Sequence, residues 1–214
     1  KKIKKTGTWI KIKNDTDNYK GYIKNNKFLP NQKNTHKICK LYANLYFRPN
    51  LKSKIKKKIS FGSKVKIIEK KNNFYKFDNL WIKKKDLKKI DYKTKDIFKN
   101  INKFINTKYK WGGKHFTGID CSGLVQLFYN FNNKFCPRDA KDQINYFKKK
   151  IKLKNIRKND LIFWKDHVAV AISKHTLIHA YGPSKKTLLM PINKTINKIY
   201  KTAKLKVIGI RRIV

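Results

Sequence analysis

Cys121 lies in the run Gly118-Ile119-Asp120-Cys121-Ser122-Gly123-Leu124-Val125-Gln126, directly behind an aspartate able to cap a helix. A sulfur at the first turn of a helix meets free backbone N–H groups and the positive end of the helix dipole, and both favour the thiolate. A thiolate is the nucleophile of a cysteine enzyme, and a neighbouring histidine can take its proton. Glycines on either side, among them Gly112, Gly113 and Gly118, would let a substrate chain approach closely. The bland alternative is a buried cysteine packed as a small hydrophobe.

The chain has five histidines. His167 opens His167-Val168-Ala169-Val170-Ala171-Ile172, an alternating strand with two alanines on the His167 face and bulkier residues on the other. That leaves room above the sheet for a ligand. His179 falls on the next predicted strand, 177–180. The two histidines share a face only if opposed residues have numbers with an even sum, which requires a three- or five-residue connection or a bulge. A two-residue turn at Ser173-Lys174 would point them apart. On this reading Cys121 is the nucleophile, His167 the general base, and His179 the third group that orients the ring. Base assistance of this kind contributes about 10²–10⁴-fold in rate. A hydrogen-bonded structural histidine is the alternative for His179.

Other chemistry fits less well. A zinc site built from Cys121, His167 and His179 lacks close ligand pairs such as Cys-x-x-Cys, so no metal and no cofactor are expected. Cys39, in a β-like stretch, and Cys136, before Pro137, read as packing residues, and His36, His115 and His175 as loop residues. Arg138-Asp139-Ala140 with Gln143 either grips substrate or supports the active-site loop.

These groups need elements to hold them. Asp120 is a plausible N-cap for a helix over 120–131, with Leu124, Val125, Phe128 and Phe131 on one face. Ile97, Phe98, Ile101, Phe104 and Ile105 are spaced for another helix, ending at Asn106-Thr107. Strands are predicted at 161–164, 167–172, 177–180 and 206–213. Helices followed by an antiparallel sheet make an α+β domain.

Residues 1–90 read instead as short strands, such as Trp9-Ile10-Lys11-Ile12, Val65-Lys66-Ile67 and Phe74-Tyr75-Lys76-Phe77. Turn clusters at Asn14-Asp15, Asn25-Asn26, Gly62-Ser63 and Asn72-Asn73 separate them. There is an internal echo: Gly21-Tyr22-Ile23-Lys24 leading to Leu29 resembles Leu80-Trp81-Ile82-Lys83 leading to Leu87, each after an alternating strand. It predicts two tandem β-barrels, the first shortened by where the sequence begins. The division is then 1–35, 36–92 and 93–214.

Composition narrows the class. The 214 residues include 56 Lys+Arg against 12 Asp+Glu, a formal charge of +44. At 40% hydrophobic and 13% aromatic the chain is too apolar for a disordered basic tail. The charge is nearly all lysine, spread from Lys2 to Lys204 and accompanied by Asn, Ile, Tyr and Phe, which low-GC codon usage favours. That pattern fits a solvated lysine surface better than a nucleic-acid site, which would use arginine in bidentate contacts. No nucleic-acid partner is expected. The longest apolar runs, such as Leu161-Ile162-Phe163-Trp164, are far short of a membrane span, no secretory leader is visible, and no membrane partner is expected. The first residue is Lys1 rather than Met, so residues upstream are expected. Three cysteines are too few for a disulfide scaffold, and a soluble globular monomer is expected.

Together, the segment from Tyr109 to Gln126, Pro137-Arg138-Asp139, Asn159-Asp160-Leu161-Ile162-Phe163-Trp164, His167-Val168-Ala169 and Leu177-Ile178-His179-Ala180 resemble the NlpC-type cysteine peptidases of bacterial cell-wall metabolism. The order Cys, His, polar third residue agrees, as does the 12-residue spacing of the two histidines. The resemblance implies a papain-like α+β peptidase domain behind bacterial SH3-like barrels, over about 38–214. The nearest type is the γ-D-glutamyl-L-diamino acid endopeptidases (dipeptidyl-peptidase VI), which cut murein peptides after L-Ala-γ-D-Glu. It implies that Cys121 attacks the γ-linked amide and His167 shuttles the proton, while Tyr109 contributes to the oxyanion site. Asp120 and Ser122 would hold the free amino terminus of the substrate, and the barrels would wall off the cleft so that only a free amine fits. An acidic residue of the barrels would meet that amine, with Glu69, Asp78 and Asp86 as candidates. Asn159 replaces the usual Gly before the Asp-Leu strand, and Tyr181-Gly182 stands where relatives often have Asn. A catalytically inactive wall-binding protein, and an amidase or acyltransferase on the same scaffold, are the competing functions. Peptide recycling of this type points to the cytoplasm, with a periplasmic or secreted location as the alternative if an upstream signal is removed.

Overall fold

Alternating apolar and lysine residues at the N-terminus fold as a three-stranded antiparallel meander, β1 (Lys2–Thr6), β2 (Trp9–Lys13) and β3 (Lys20–Lys24), with Ile10 buried. The turn between β2 and β3 contains Asn18 in the left-handed region at φ 58, which Asn tolerates. It also carries Asp17, whose carboxylate accepts from Tyr19 N at 3.1 Å. The computed structural model describes residues 2–25 and 32–213, so Lys1, Asn26 and Leu29 lie outside the described residues.

A second β unit follows. It consists of β4 (His36–Ile38), β5 (Tyr42–Tyr46), β6 (Ile55–Ser60), β7 (Lys64–Val65), β8 (Glu69–Lys71), β9 (Phe74–Phe77), β10 (Leu80–Lys83) and β11 (Leu87–Lys89). Sheets of order β6-β5-β10-β9-β8 and β11-β4-β7 enclose Ile38, Ala43, Leu45, Val65, Phe77, Ile82 and Leu87. The two segments of the internal echo each end a hairpin: β2 pairs antiparallel with β3, as β9 does with β10.

The remaining chain is an α+β domain. A hairpin of β12 (Lys114–His115) and β13 (Gly118–Ile119) leads into α1 (Cys121–Phe131), followed by α2 (Ala140–Tyr146). Then come β14 (Lys149–Lys150), β15 (Leu161–Trp164), β16 (His167–Ala171), β17 (Thr176–Tyr181), β18 (Lys186–Pro191), α3 (Ile192–Ala203) and β19 (Gly209–Arg212). They form one six-stranded antiparallel sheet of order β14-β19-β15-β16-β17-β18. Strand alternation gives it two faces. Val168, Val170, Ile178 and Ala180 meet α1, whereas Ala169, Ala171, Leu177 and Tyr181 meet Ile192 and Ile199 of α3. No described helix is long and apolar enough to cross a membrane.

Three expectations change. Residues 97–105 are not an α-helix: only Ile101–Phe104 form a 3₁₀ turn, because Asn100 and Asn106 take φ 64 and 65, incompatible with helix continuation. The apolar residues there are nonetheless buried against α1. The last strand is shorter than 206–213. His36 and His115 lie in β4 and β12 rather than in loops, His36 packing edge-on to Tyr75 at 5.6 Å. Helix α3 escaped the sequence reading, although Ile192, Ile196 and Ile199 repeat at helical spacing behind Pro191.

The second β unit is docked onto the back of α1. Phe61 stacks on Phe131 at 4.5 Å and packs on Phe128 at 5.0 Å. The fully buried Lys37 donates at 2.6 Å to the carbonyls of Phe131, the last residue of α1, and Tyr92. A cation there satisfies a terminal helix carbonyl and faces the negative end of the dipole.

Candidate active site

Asp120 N-caps α1, its Oδ1 accepting from Gly123 N at 2.7 Å. The same carboxylate accepts from Gly112 N at 2.7 Å through Oδ2 and from both guanidinium nitrogens of Arg138. Arg138 also donates to Ser122 Oγ at 3.0 Å. Asp120 and Ser122 are therefore held in one hydrogen-bonded frame by Arg138, which also lines the cleft with Asp139 and Ala140. Gln143 adds to that frame by donating to the carbonyls of Ser122 and Pro137.

The frame sets Cys121 at the start of α1 against the beginning of β16. Its sulfur is 4.0 Å from the carbonyl of Asp166, the residue before His167. Burial pushes the thiol up to about 11; the N–H groups of Val168, Ser122 and Cys121 pull it back only in part. The pull toward thiolate expected at a helix start is present but smaller than the cost of removing the sulfur from water.

Register brings the histidines together. Val170 opposes Ile178 and Ala171 opposes Leu177, and Ile172 N bonds Thr176 O across a three-residue connection, Ser173-Lys174-His175. The pairs have even sums, as a shared face demands. Ser173 Oγ shapes the turn by accepting from His175 N and Thr176 N. His167 Nε2 and His179 Nδ1 are 2.9 Å apart. These two nitrogens bond each other rather than converging on a common metal position. Burial pushes His167 down to about 4, and burial with the neighbouring His167 and Lys198 pushes His179 down to about 3. Both rings rest neutral. His179 also stacks on Tyr181 at 4.7 Å and 9°.

In front of Cys121 opens a cleft of about 460 Å³, lined by Tyr109, Trp111, Lys114, Asp120 and Ser122 and, from the first β unit, by Asp17 and Tyr19. Burial, then the nearby Cys121 and Asp120, pushes the Tyr109 phenol up to about 12, so it stays a donor. Trp111 stands 80% exposed at the rim. Four of the chain's 12 acidic residues (Asp17, Asp120, Asp139 and Asp166) line this one cleft, together with the cations Lys114, Arg138 and Lys141.

The barrel acids considered from sequence lie elsewhere. Glu69 pairs with Lys76 on the outer face of its sheet, Asp78 occupies the β9–β10 turn at φ 48, and Asp86 is buried in the second unit. None lines the cleft. Asp17 does, and the sequence reading missed it because an Asn/Asp turn between two strands carries no signal of what it faces. Gln126 was likewise passed over; it is fully buried and donates to Asp17 Oδ2 at 2.9 Å. Cys136 is buried and Cys39 half-buried, outside the cleft.

A cysteine at the head of a helix, set against an antiparallel sheet that carries two bonded histidines, is the arrangement of a papain-like α+β domain. Residues 106–207 match the NlpC/P60 family, and this part of the chain is an NlpC/P60 domain. The chain is 39% identical over 77 residues to dipeptidyl-peptidase 6 of Lysinibacillus sphaericus, covering 36% of this chain and 28% of that one. It is 33% identical over 84 residues to a probable endopeptidase NlpC homolog of Haemophilus influenzae, covering 37% and 44%. The chain thus spans less than half the length of either relative. An NlpC/P60 family protein from Bacillus cereus superposes with a TM-score of 0.79 at 23% identity, over 99% of this chain and 78% of that one, so the shared fold extends through the front β units.

Proposed function

We propose that the protein is a cysteine endopeptidase acting on peptidoglycan-derived peptides, cutting the γ-D-Glu–diamino acid bond of peptides with a free N-terminal L-Ala. One observation carries the reading: the Cys121 sulfur packs against the first residues of the strand whose His167 is bonded to His179. The similarity to a dipeptidyl-peptidase 6 supports the choice of bond.

In this mechanism His167 Nε2–H donates to His179, which holds the ring and leaves Nδ1 to receive the thiol proton. Sγ bonds to the γ-carbonyl carbon as that proton moves, and Tyr109 donates to the developing oxyanion. The C–N bond breaks, His167 returns the proton to the leaving amine, and L-Ala-γ-D-Glu remains as a thioester. Water, deprotonated by His167, hydrolyses it, and the proton returns to sulfur. Asp17 meets the substrate amine, with Asp120 and Ser122 behind it. The first front unit then acts as a wall of the cleft, and the two small β units are read as SH3-like modules. The murein peptide is the sole partner assigned, a monomer suffices for this chemistry, and peptide recycling would place the protein in the cytoplasm.

Mass spectrometry of L-Ala-γ-D-Glu-diaminopimelate incubated with the protein tests this. Release of the dipeptide by the wild type and none by Cys121→Ala supports the reading. An intact peptide with the wild type ends it and leaves the inactive wall-binding protein and the amidase or acyltransferase as the alternatives. Acetylating the substrate amine should abolish turnover.

A further inference from the structure

Away from the Cys121 cleft, a cavity of about 630 Å³ opens where the second β unit meets the 97–105 segment and the back of α1. Lys40, Lys85 and Lys88 line it from the β unit, Lys99 and Lys103 from the segment, and no acidic residue lines it. Phe61, Tyr92, Phe128 and Phe131 supply its apolar wall. The half-buried Cys39 opens onto the same space.

Two of these ammonium groups are anchored. Lys103 leaves the 3₁₀ turn Ile101–Phe104, and its Nζ donates to Cys39 O at 2.7 Å while standing 4.7 Å from the centre of the Phe61 ring. Lys88 Nζ stands 5.1 Å from the centre of the Tyr92 ring. A ring face attracts an ammonium without consuming its hydrogen-bond donors, so the contacts described leave donors on both groups for a ligand. Burial, then Asp86, push the Cys39 thiol up against the opposing pull of Lys103, Lys88 and Lys40. Three positive charges, carried by two separate parts of the fold, therefore bear on one sulfur. Asp86 is buried beside them, with Lys83, Lys40 and Lys85 as its cationic neighbours. Among the described residues no carboxylate lies within ion-pair distance of Lys88, Lys99 or Lys103. Like charges gathered without a counter-charge repel one another, and a bound anion relieves that repulsion.

We propose that this cavity is a binding site for a small phosphorylated ligand, held by Lys103, Lys88 and Lys40 and resting on the Phe61 and Tyr92 rings. Lysine presents a point charge rather than the planar fork of arginine, which suits a tetrahedral phosphate with several acceptor oxygens better than a flat carboxylate. Partial exclusion of water strengthens each charge-assisted bond. The phosphate comes either as the free inorganic ion or on an organic body that covers the aromatic wall. The site is separate from the peptidase chemistry and stands whether or not the cleft cuts murein peptides.

Cys39 serves as a built-in reporter. The full chain is treated with iodoacetamide, a neutral reagent, at fixed ionic strength, with and without pyrophosphate, and labelling of each cysteine is followed by mass spectrometry. Pyrophosphate at ten times its half-saturating concentration should slow labelling of Cys39 about 10-fold and leave that of Cys121 unchanged. Lys103→Met and Lys88→Met should each weaken this protection by about 10-fold or more, as expected for loss of a charge-assisted contact. Lys174→Met, an exposed lysine elsewhere, should leave it intact. Tighter protection by adenosine diphosphate than by pyrophosphate assigns an organic phosphate, and equal protection assigns the phosphate group alone; either supports the site. Labelling of Cys39 that ignores both probes overturns it. So does a loss of protection in Lys174→Met equal to that in Lys88→Met, which would mark diffuse attraction to a lysine-rich surface. If Cys39 is inert in the free protein, the melting temperature decides: pyrophosphate should raise it in the wild type and not in Lys88→Met, and no rise in the wild type refutes the site. Lys88 is exposed, so its variant keeps the test open should Lys103→Met fail to fold.

Discussion

The two front β units have similar hairpins and opposite relations to the site. The first sends its β2–β3 turn into the cleft, where Asp17 meets Gln126. The second never reaches the cleft; it props α1 from behind with Phe61 and Lys37. The contacts differ in kind. At the first unit they are polar and face the space a substrate would fill, so they should affect recognition. At the second they are apolar or buried against the helix that carries Cys121, so they should affect stability and the placement of the helix.

The largest effect that could break this contrast is at Phe61, whose ring is buried against Phe104, Phe128 and Phe131. Phe61→Ala should cost about 3–5 kcal/mol in a denaturant titration, with KM unchanged wherever the protein remains folded. A changed KM with intact stability would place the second unit in substrate binding.

Next is Asp17→Asn, expected to raise KM for the free-amine peptide by about 10²-fold while leaving the melting temperature within a few degrees. The pH profile sharpens this. His167 is neutral down to about 4, so kcat should hold as pH falls below 6.5 and be lost only as the ring protonates near 4. Asp17→Asn should keep that acid limb, since it alters binding and not the base. On the alkaline side the thiol is held up to about 11, so alkylation of Cys121 by iodoacetamide should still be rising above pH 9.

A smaller effect is expected at Lys37. Lys37→Met leaves the carbonyls of Phe131 and Tyr92 without their donor, at a cost of about 1–3 kcal/mol on unfolding. Burial lowers Lys37 to about 8 in the fold, well below its unfolded value, so the native state releases a proton first. The wild type should therefore gain stability relative to Lys37→Met as pH rises from about 8 toward 10.5, measured by melting the two proteins side by side. The smallest effect is at the exposed Lys76–Glu69 pair on the outer sheet, where a double-mutant cycle should yield no more than about 1 kcal/mol.

The α+β domain was far more legible than the front units. Asp120-Cys121 was readable as a capped helix start because an N-cap is a local interaction, and the observed bond to Gly123 N spans three residues. The His167–His179 relation reduced to parity of strand register, and the three-residue connection met it. Residues 97–105 misled because apolar spacing reports burial and not backbone conformation; two left-handed asparagines broke the helix without disturbing the packing. The rest of the candidate site was invisible for a different reason. Asp17 and Gln126 are 109 positions apart, and neither has neighbours in sequence that hint at the other.

The chain's order of residues determined the chemistry on offer: a cysteine behind a capping aspartate, and two histidines of matching register on successive strands. Short-range hydrogen bonds and strand alternation dictate those features, so they can be read without coordinates. Tertiary structure decided which charges surround the sulfur and whether it rests as thiol or thiolate. Burial, and contacts between segments remote in sequence, set local dielectric and electrostatics, and neither quantity is a property of any stretch of chain taken alone.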